Sequence, residues 1–277
     1  MLWRGREGSS NVEDRRGVSG GGLAVGGGIG GLIIALIYMF LGGDPSQSPQ
    51  LLPGQQSSRQ LSADQQAAQD TMAQFVKVVL RETEIVWGKM IPEYTDPKLV
   101  MFTDAVQSGC GGASSASGPF YCPSDEKVYI DLSFYNELKD RFGAGGDFAM
   151  AYVIAHEVGH HIQNLMGTSD KVHQLQGRVS EAEANRASVK LELQADFYAG
   201  VWAHYAQNME HIIEPGDIEE ALTAANAIGD DKLQKQAQGY VVPDAFTHGT
   251  SAQRMYWFKK GYQTGDLKQG NTFEEVE

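Results

Sequence analysis

The chain lacks most of the features that would assign it quickly. It has two cysteines in 277 residues, too few for a disulfide-built miniprotein or a four-cysteine zinc module. Basic residues are scarce: 22 Lys and Arg stand against 35 Asp and Glu, for a formal net charge of -13. That excludes nucleic acid as a partner, because such binding needs a basic stripe to displace counterions. No repeat and no sustained heptad pattern runs through it. Composition gives no case for disorder either, with 42% apolar and 21% charged residues, the range of a globular protein. The length suits one sizeable domain with an appendage, or two small domains.

What is present is unevenly placed. Residues 1–43 hold 13 of the 33 glycines and net +1, while the remainder nets -14. No charge falls between Gly17 and Gly43, and Leu23–Leu41 is a run of 19 Gly, Ala and large apolar residues. About 20 apolar residues cross a bilayer as a helix. The run therefore predicts a transmembrane anchor at 23–41. A cleaved signal peptide is disfavoured because no A-x-A site follows the run; a Gly-rich soluble linker is the third reading. Arg4, Arg6, Arg15 and Arg16 precede the run, and Arg59 is the first basic residue after it. The positive-inside bias then makes 1–22 a cytoplasmic tail and places the body outside. Gly22, Gly26 and Gly30 recur every four residues, a spacing that would let two spans pack as a homodimer. Residues 42–61, rich in Pro, Ser and Gln, read as a linker. They are followed by a domain over 62–265 and a loose tail over 266–277.

Helical periodicity begins after the linker. Met72, Phe75, Val76, Val79, Leu80, Thr83, Trp87 and Met90 recur at three and four and predict one buried helix face. Ser62 suits its N-cap and Pro92 lies just past its end. Apolar runs at Leu99–Thr103 and Val128–Leu132 predict strands. Between them Ser108–Gly118 is a loop of small residues flanked by Cys110 and Cys122. In an extracytoplasmic body these two read as a disulfide, which would stabilise by roughly 2–3 kcal/mol; in a reducing compartment they read as two free thiols. From Ser133 onward helices are predicted near 133–142, 147–166, 180–208, 217–228, 231–238 and 250–261, with Asp147, Asp217 and Thr250 as N-caps. The fold class is thus α+β and predominantly helical.

The chemistry sits on two of these helices. His156-Glu157-Val158-Gly159-His160 is an H-E-x-x-H segment. Positions four apart share a helix face, so His156 and His160 can hold one Zn2+ from adjacent turns. Glu157, about 100° around from His156 on a helix of 3.6 residues per turn, can reach a water on the metal as general base. His161 points to a different face. A catalytic zinc takes a third protein ligand. A histidine six residues past His160 is excluded, because Met166 stands there and Gln163 replaces the glycine that arrangement needs. The other common source is a Glu with an Asp four residues on. Among the 18 glutamates only Glu192 qualifies, with Asp196. Glu192 would complete the ligand set, and Asp196 would accept the remaining ring N–H of a ligating histidine.

These segments resemble the neutral zinc metallopeptidase family of bacteria. The resemblance is carried by Asn11-Val-Glu-Asp-Arg-Arg16, Gly118-Pro-Phe-Tyr-Cys-Pro123, Val128-Tyr-Ile-Asp131, His156-Glu-Val-Gly-His-His161, Leu191-Glu-Leu-Gln-Ala-Asp196 and Phe246-Thr-His-Gly249. It implies a zincin-like metallopeptidase domain, Zn2+ as cofactor, a peptide or protein substrate, and His156 as the partner of Asp196; taken with the anchor and the charge bias, a bacterial source makes this a single-pass protein of the inner membrane with a periplasmic body. Thr247-His248 followed by Arg254 is similar to a stretch of membrane-bound prenyl-protein-type metallopeptidases. That likeness implies His248 as a stabiliser of the tetrahedral intermediate and Arg254 as a brace for Glu192 or Asp196. Gly249 stands where that group has proline. Val128–Leu132 would offer a free strand edge to an extended substrate. Two other functions stay open: a catalytically silent membrane-anchored scaffold, against which the intact residue set argues, and a zinc amidase acting on cell-wall links.

Overall fold

The computed structural model describes residues 1–17, 62–175 and 177–276. The predicted anchor at 23–41, its glycine ladder and the linker all lie outside the described residues. Among the described residues no helix is long and apolar enough to cross a membrane.

Helix α1 spans Ala63–Met90. Its start is a capping box, in which the Ser62 side chain accepts from the Gln65 N–H and the Gln65 side chain accepts from the Ser62 N–H. The predicted face is buried: Phe75, Val76, Val79, Leu80 and Trp87 are almost wholly inaccessible. A sheet follows, with β1 at Val12–Asp14, β2 at Lys98–Phe102, β5 at Phe120–Cys122 and β6 at Lys127–Asp131; β3 at Ala105–Ser108 and β4 at Gly111–Ser114 form a separate hairpin. The sheet order is β1-β2-β6-β5. The first three strands are parallel, with Leu99 opposite Val128 and Met101 opposite Ile130, and β5 runs antiparallel to β6. Strand alternation sends Leu99, Met101, Val128 and Ile130 into the helical core. It sends Val100, Phe102 and Tyr129 to a second cluster that includes Cys122 and Val106. The predicted strands therefore form, but Val128–Leu132 offers no free edge: β6 is held between β2 and β5. The edge on that side is β5. Strand order rests on pairing between distant segments, which periodicity does not encode.

The helices are α2 at Phe134–Asp140, α3 at Asp147–Leu165, α4 at Thr168–His173, α5 at Glu181–Glu210, α6 at Asp217–Ala227, α7 at Asp230–Gln238, α8 at Ser251–Thr264 and α9 at Thr272–Glu275. Thr250 caps α8 as predicted, but Asp147 and Asp217 are first helical residues behind Gly146 and Gly216. Their carboxylates face the amino group of Met1 instead, at 3.1 and 3.0 Å. Burial opposes charge on that amine, yet Glu214, Asp217 and Asp147 outweigh it and raise its pKa to about 10.

Of the two predicted tails, the described residues 1–17 and 266–276 pack on the body. Residues 1–17 form a strap ending in β1. The last residues fold back: Thr272 is fully buried, its hydroxyl donates to the Lys190 carbonyl, and Gly270 accepts from Gln194. Helices α5 and α8 cross at their glycines. A Cβ on Gly200 would lie 2.0 Å from the Phe258 carbonyl oxygen, and one on Gly261 would lie 2.1 Å from that of Phe197. Gly261→Ala should therefore lower stability by about 1–3 kcal/mol through overpacking, although Ala is the better helix former by about 1 kcal/mol. A thermal melt that does not move would show that the two helices can separate freely.

Candidate metal centre

Helix α3 is the central helix and is buried along nearly its whole length. Gly159, inside the motif, permits that position: a Cβ there would stand 3.0 Å from the Ala195 carbonyl oxygen on α5. The close approach of α3 and α5 brings the two halves of the site together. His156, His160 and Glu192 offer ligand atoms that all lie within 4.8 Å of one another. The His156 Nε2 is 3.1 Å from Glu192 Oε2, and the His160 Nε2 is 3.4 Å from Oε1.

Each histidine is held by its other nitrogen. The Nδ1 of His156 faces Asp196 Oδ1 at 2.9 Å. The carboxylate only accepts, so Nδ1 carries the proton and Nε2 is turned to the cluster. The Nδ1 of His160 faces Gln163 Oε1 at 2.8 Å. Gln163 spends its Nε2 on the Leu191 carbonyl and on Gln194 Oε1, which fixes its oxygen toward His160. Gln194 in turn donates to the Gly270 carbonyl at 2.9 Å. This relay ties His160 to α5 and to the C-terminal segment. Two imidazole nitrogens and one carboxylate, with both tautomers set from behind, are a donor set that suits zinc.

Behind the ligands lies a buried ionic knot. Arg254 grips Asp196 with two bonds, Nε to Oδ2 at 2.8 Å and Nη2 to Oδ1 at 3.0 Å, and both side chains are nearly inaccessible. Arg254 thus braces Asp196. Tyr152 donates to the same carboxylate and accepts from Arg254 at 3.2 Å. Burial opposes ionisation of Asp196, but Arg254 and His156 outweigh it and bring its pKa to about 2. For His156 burial again opposes charge, and Asp196 with Glu192 outweighs it, raising the pKa to about 10. A metal entering this cluster must displace that proton. Glu192 is held well below the usual carboxylate range by His160 and His156 against the cost of burial.

Glu157 is buried, and burial pushes its carboxyl up. It has no hydrogen-bond partner among the described residues. His248 comes in from the segment before α8. Its Nδ1 lies 3.2 Å from Asp230 Oδ1, while Asp230 Oδ2 accepts the backbone N–H groups of Thr247, His248 and Gly249. Asp230 raises the pKa of His248 against burial. Gly249 has φ +91°, which proline cannot adopt, and its N–H is in use. That accounts for the departure from Thr-His-Pro. His161 is fully buried and structural, bridging the Thr95 carbonyl at 2.7 Å and the Tyr121 hydroxyl at 3.0 Å. Cys110 and Cys122 form a disulfide. A cavity of about 610 Å³ lies away from the metal cluster, against the strap and lined by Trp3, Phe75, Tyr135 and Asp147.

Three contributors escaped the sequence. Tyr152 and Gln163 stand four before His156 and three after His160, on the faces their partners occupy. That spacing was a usable signal. Asp230 is 18 residues from His248 and carried none.

A helical α+β body in which an H-E-x-x-H helix meets a glutamate from a later helix fits the zincin-like class of metallopeptidase domain. The chain belongs to the family described as "Putative neutral zinc metallopeptidase", whose model matches residues 1–273. It is 52% identical to the uncharacterized protein YpfJ of Escherichia coli strain K12, covering 99% of both chains. It is 45% identical to the uncharacterized protein Rv2575 of Mycobacterium tuberculosis H37Rv, over 70% of this chain and 68% of that one. No solved structure matches it.

Proposed function

We propose that the protein is a zinc-dependent peptidase that hydrolyses peptide bonds. The convergence of His156, His160 and Glu192, with Glu157 on the same helix, carries this reading. When bound, zinc acts as a Lewis acid and makes water acidic enough to lose a proton near neutral pH. Glu157 takes that proton on its carboxylate and passes it to the leaving amine. Its burial raises its affinity for the proton between the two events. Asp230 holds the His248 ring through Nδ1 and favours its protonated form, whose Nε2–H donates to the oxyanion that develops on the scissile carbonyl. The edge strand β5, tied to α3 where the Tyr121 hydroxyl meets His161 and Asn164, is the strand an extended substrate would extend.

His248→Ala should lower kcat by about 10²–10³-fold, the usual cost of one oxyanion donor, while bound zinc stays constant. An unchanged kcat would remove His248 from the reaction. The reading as a whole is tested with the full chain, since residues 1–17 are part of the sheet. Purified protein should carry one equivalent of zinc, cleave an unfolded protein, lose both on chelation and regain both on adding zinc. A protein with no zinc, or with zinc and no hydrolysis of any unfolded polypeptide, would overturn it.

A further inference from the structure

The strap and the body make contacts that require one compartment. Val12, Glu13 and Asp14 pair in parallel with Leu99, Val100 and Met101, and the ladder is extended by Leu99 N–H to Asn11 O at 2.9 Å and Arg15 N–H to Met101 O at 2.8 Å. Upstream, Trp3 packs edge-on against Phe75 at 5.4 Å, and the Ser9 N–H donates to the Lys77 carbonyl. Arg6 reaches Glu82 at 2.7 Å and the Glu210 carbonyl at 2.6 Å. Glu82 is buried to 2% exposure, so it depends on the strap for its counter-charge. Asn11 donates to Glu84, which is also buried. The strap therefore completes the edge of the sheet and neutralises charge inside the body.

Three of the four arginines that precede the apolar run are held in ion pairs on the body or within the strap, and Arg4 lies over the Trp3 ring. Arg6 pairs with Glu82 and Glu210, Arg15 with Glu13, and Arg16 with Asp14 and Asp70. Arg16 and Asp70, at 3.1 Å, also bring together the two places where the chain leaves the strap and enters α1. One crossing by the run Leu23–Leu41 would put the strap and α1 on opposite faces of a bilayer. Two crossings need about 40 apolar residues, and the run supplies 19.

We propose that residues 1–17 and the domain beginning at Ser62 lie on the same side of the membrane, so that Leu23–Leu41 does not carry the chain across it. The N-terminal segment then shares the compartment of the metal site and of whatever substrate reaches it. This inference does not depend on the peptidase reading.

The test uses the full chain in spheroplasts of a Gram-negative host. Ser10→Cys on the strap and Asp140→Cys on the body are both exposed positions; the parent chain, whose two native cysteines are paired in the structure, is labelled alongside, and only signal above that background is counted. Each variant is treated with a membrane-impermeant maleimide before and after permeabilisation. Labelling of both before permeabilisation, or of both only afterwards, is the expected result. Labelling of one before and the other only afterwards would overturn the proposal. A second readout is independent of labelling. Arg6→Glu should lower the melting temperature of the protein, and Glu82→Arg in the same chain should recover it. A strap that does not dock on the body would leave the melt unmoved in both.

Discussion

Glu157→Gln should leave the zinc content at one equivalent and reduce hydrolysis by about 10²–10⁴-fold, the range of a lost general base. The amide keeps the size of the side chain but cannot accept a proton. Its neighbours predict that the fold survives: Glu157 makes no hydrogen bond among the described residues, and burial already disfavours its charge. Replacing it with an uncharged isostere removes a destabilising charge rather than a partner, so the melting temperature should hold or rise. Residual activity near that of the parent would mean that another group takes the proton. Loss of zinc along with activity would mean that Glu157 belongs to the ligand set. Neither result is compatible with the role given to it.

Arg254→Met should destabilise the protein by about 3–5 kcal/mol, because it leaves Asp196 as a buried charge without its strongest partner. For a chain of this size that corresponds to a fall in melting temperature on the order of 10 °C. Zinc affinity should fall by about 10–100-fold, since the residue that orients His156 is no longer held. The cause can be separated from the loss of packing. With Arg254→Met in place, Asp196→Asn removes the stranded charge and should return part of the stability while zinc binding stays weak. If the double variant is no more stable than the single one, the cost came from the lost volume of the arginine and the ionic account fails.

The site was legible where its information is local. His156 and His160, like Glu192 and Asp196, stand one helical turn apart, and a spacing of four is visible without a structure. The buried face of α1 was legible for the same reason. What failed was non-local. β1 is three residues long, too short for alternation to register, and its value lies in a partner strand more than 80 residues on. Its flanking arginines carry a positive-inside signal in the sequence, because nothing local shows that Glu82 and Asp70 will claim them. Asp147 and Asp217 carry good capping side chains, but tertiary contact with Met1 took them instead. Gly249 departs from the Thr-His-Pro pattern because its own φ requires it.

The strap also sets the order in which the molecule can be finished. Leu2 donates to the Ile212 carbonyl, and Arg6 to that of Glu210, so residues 2–6 wait for partners made some 200 residues later. At about 5–20 residues per second that delay is roughly 10–40 s. Until it ends, the strap has only its nearer partners, β2 and Glu82, and its first turn lacks an anchor. A strap that frays in that interval bares the edge of β2, and an unpaired edge of that kind recruits other strands. The nascent chain is therefore at its most aggregation-prone before Glu210 and Ile212 are made and lock the strap in place.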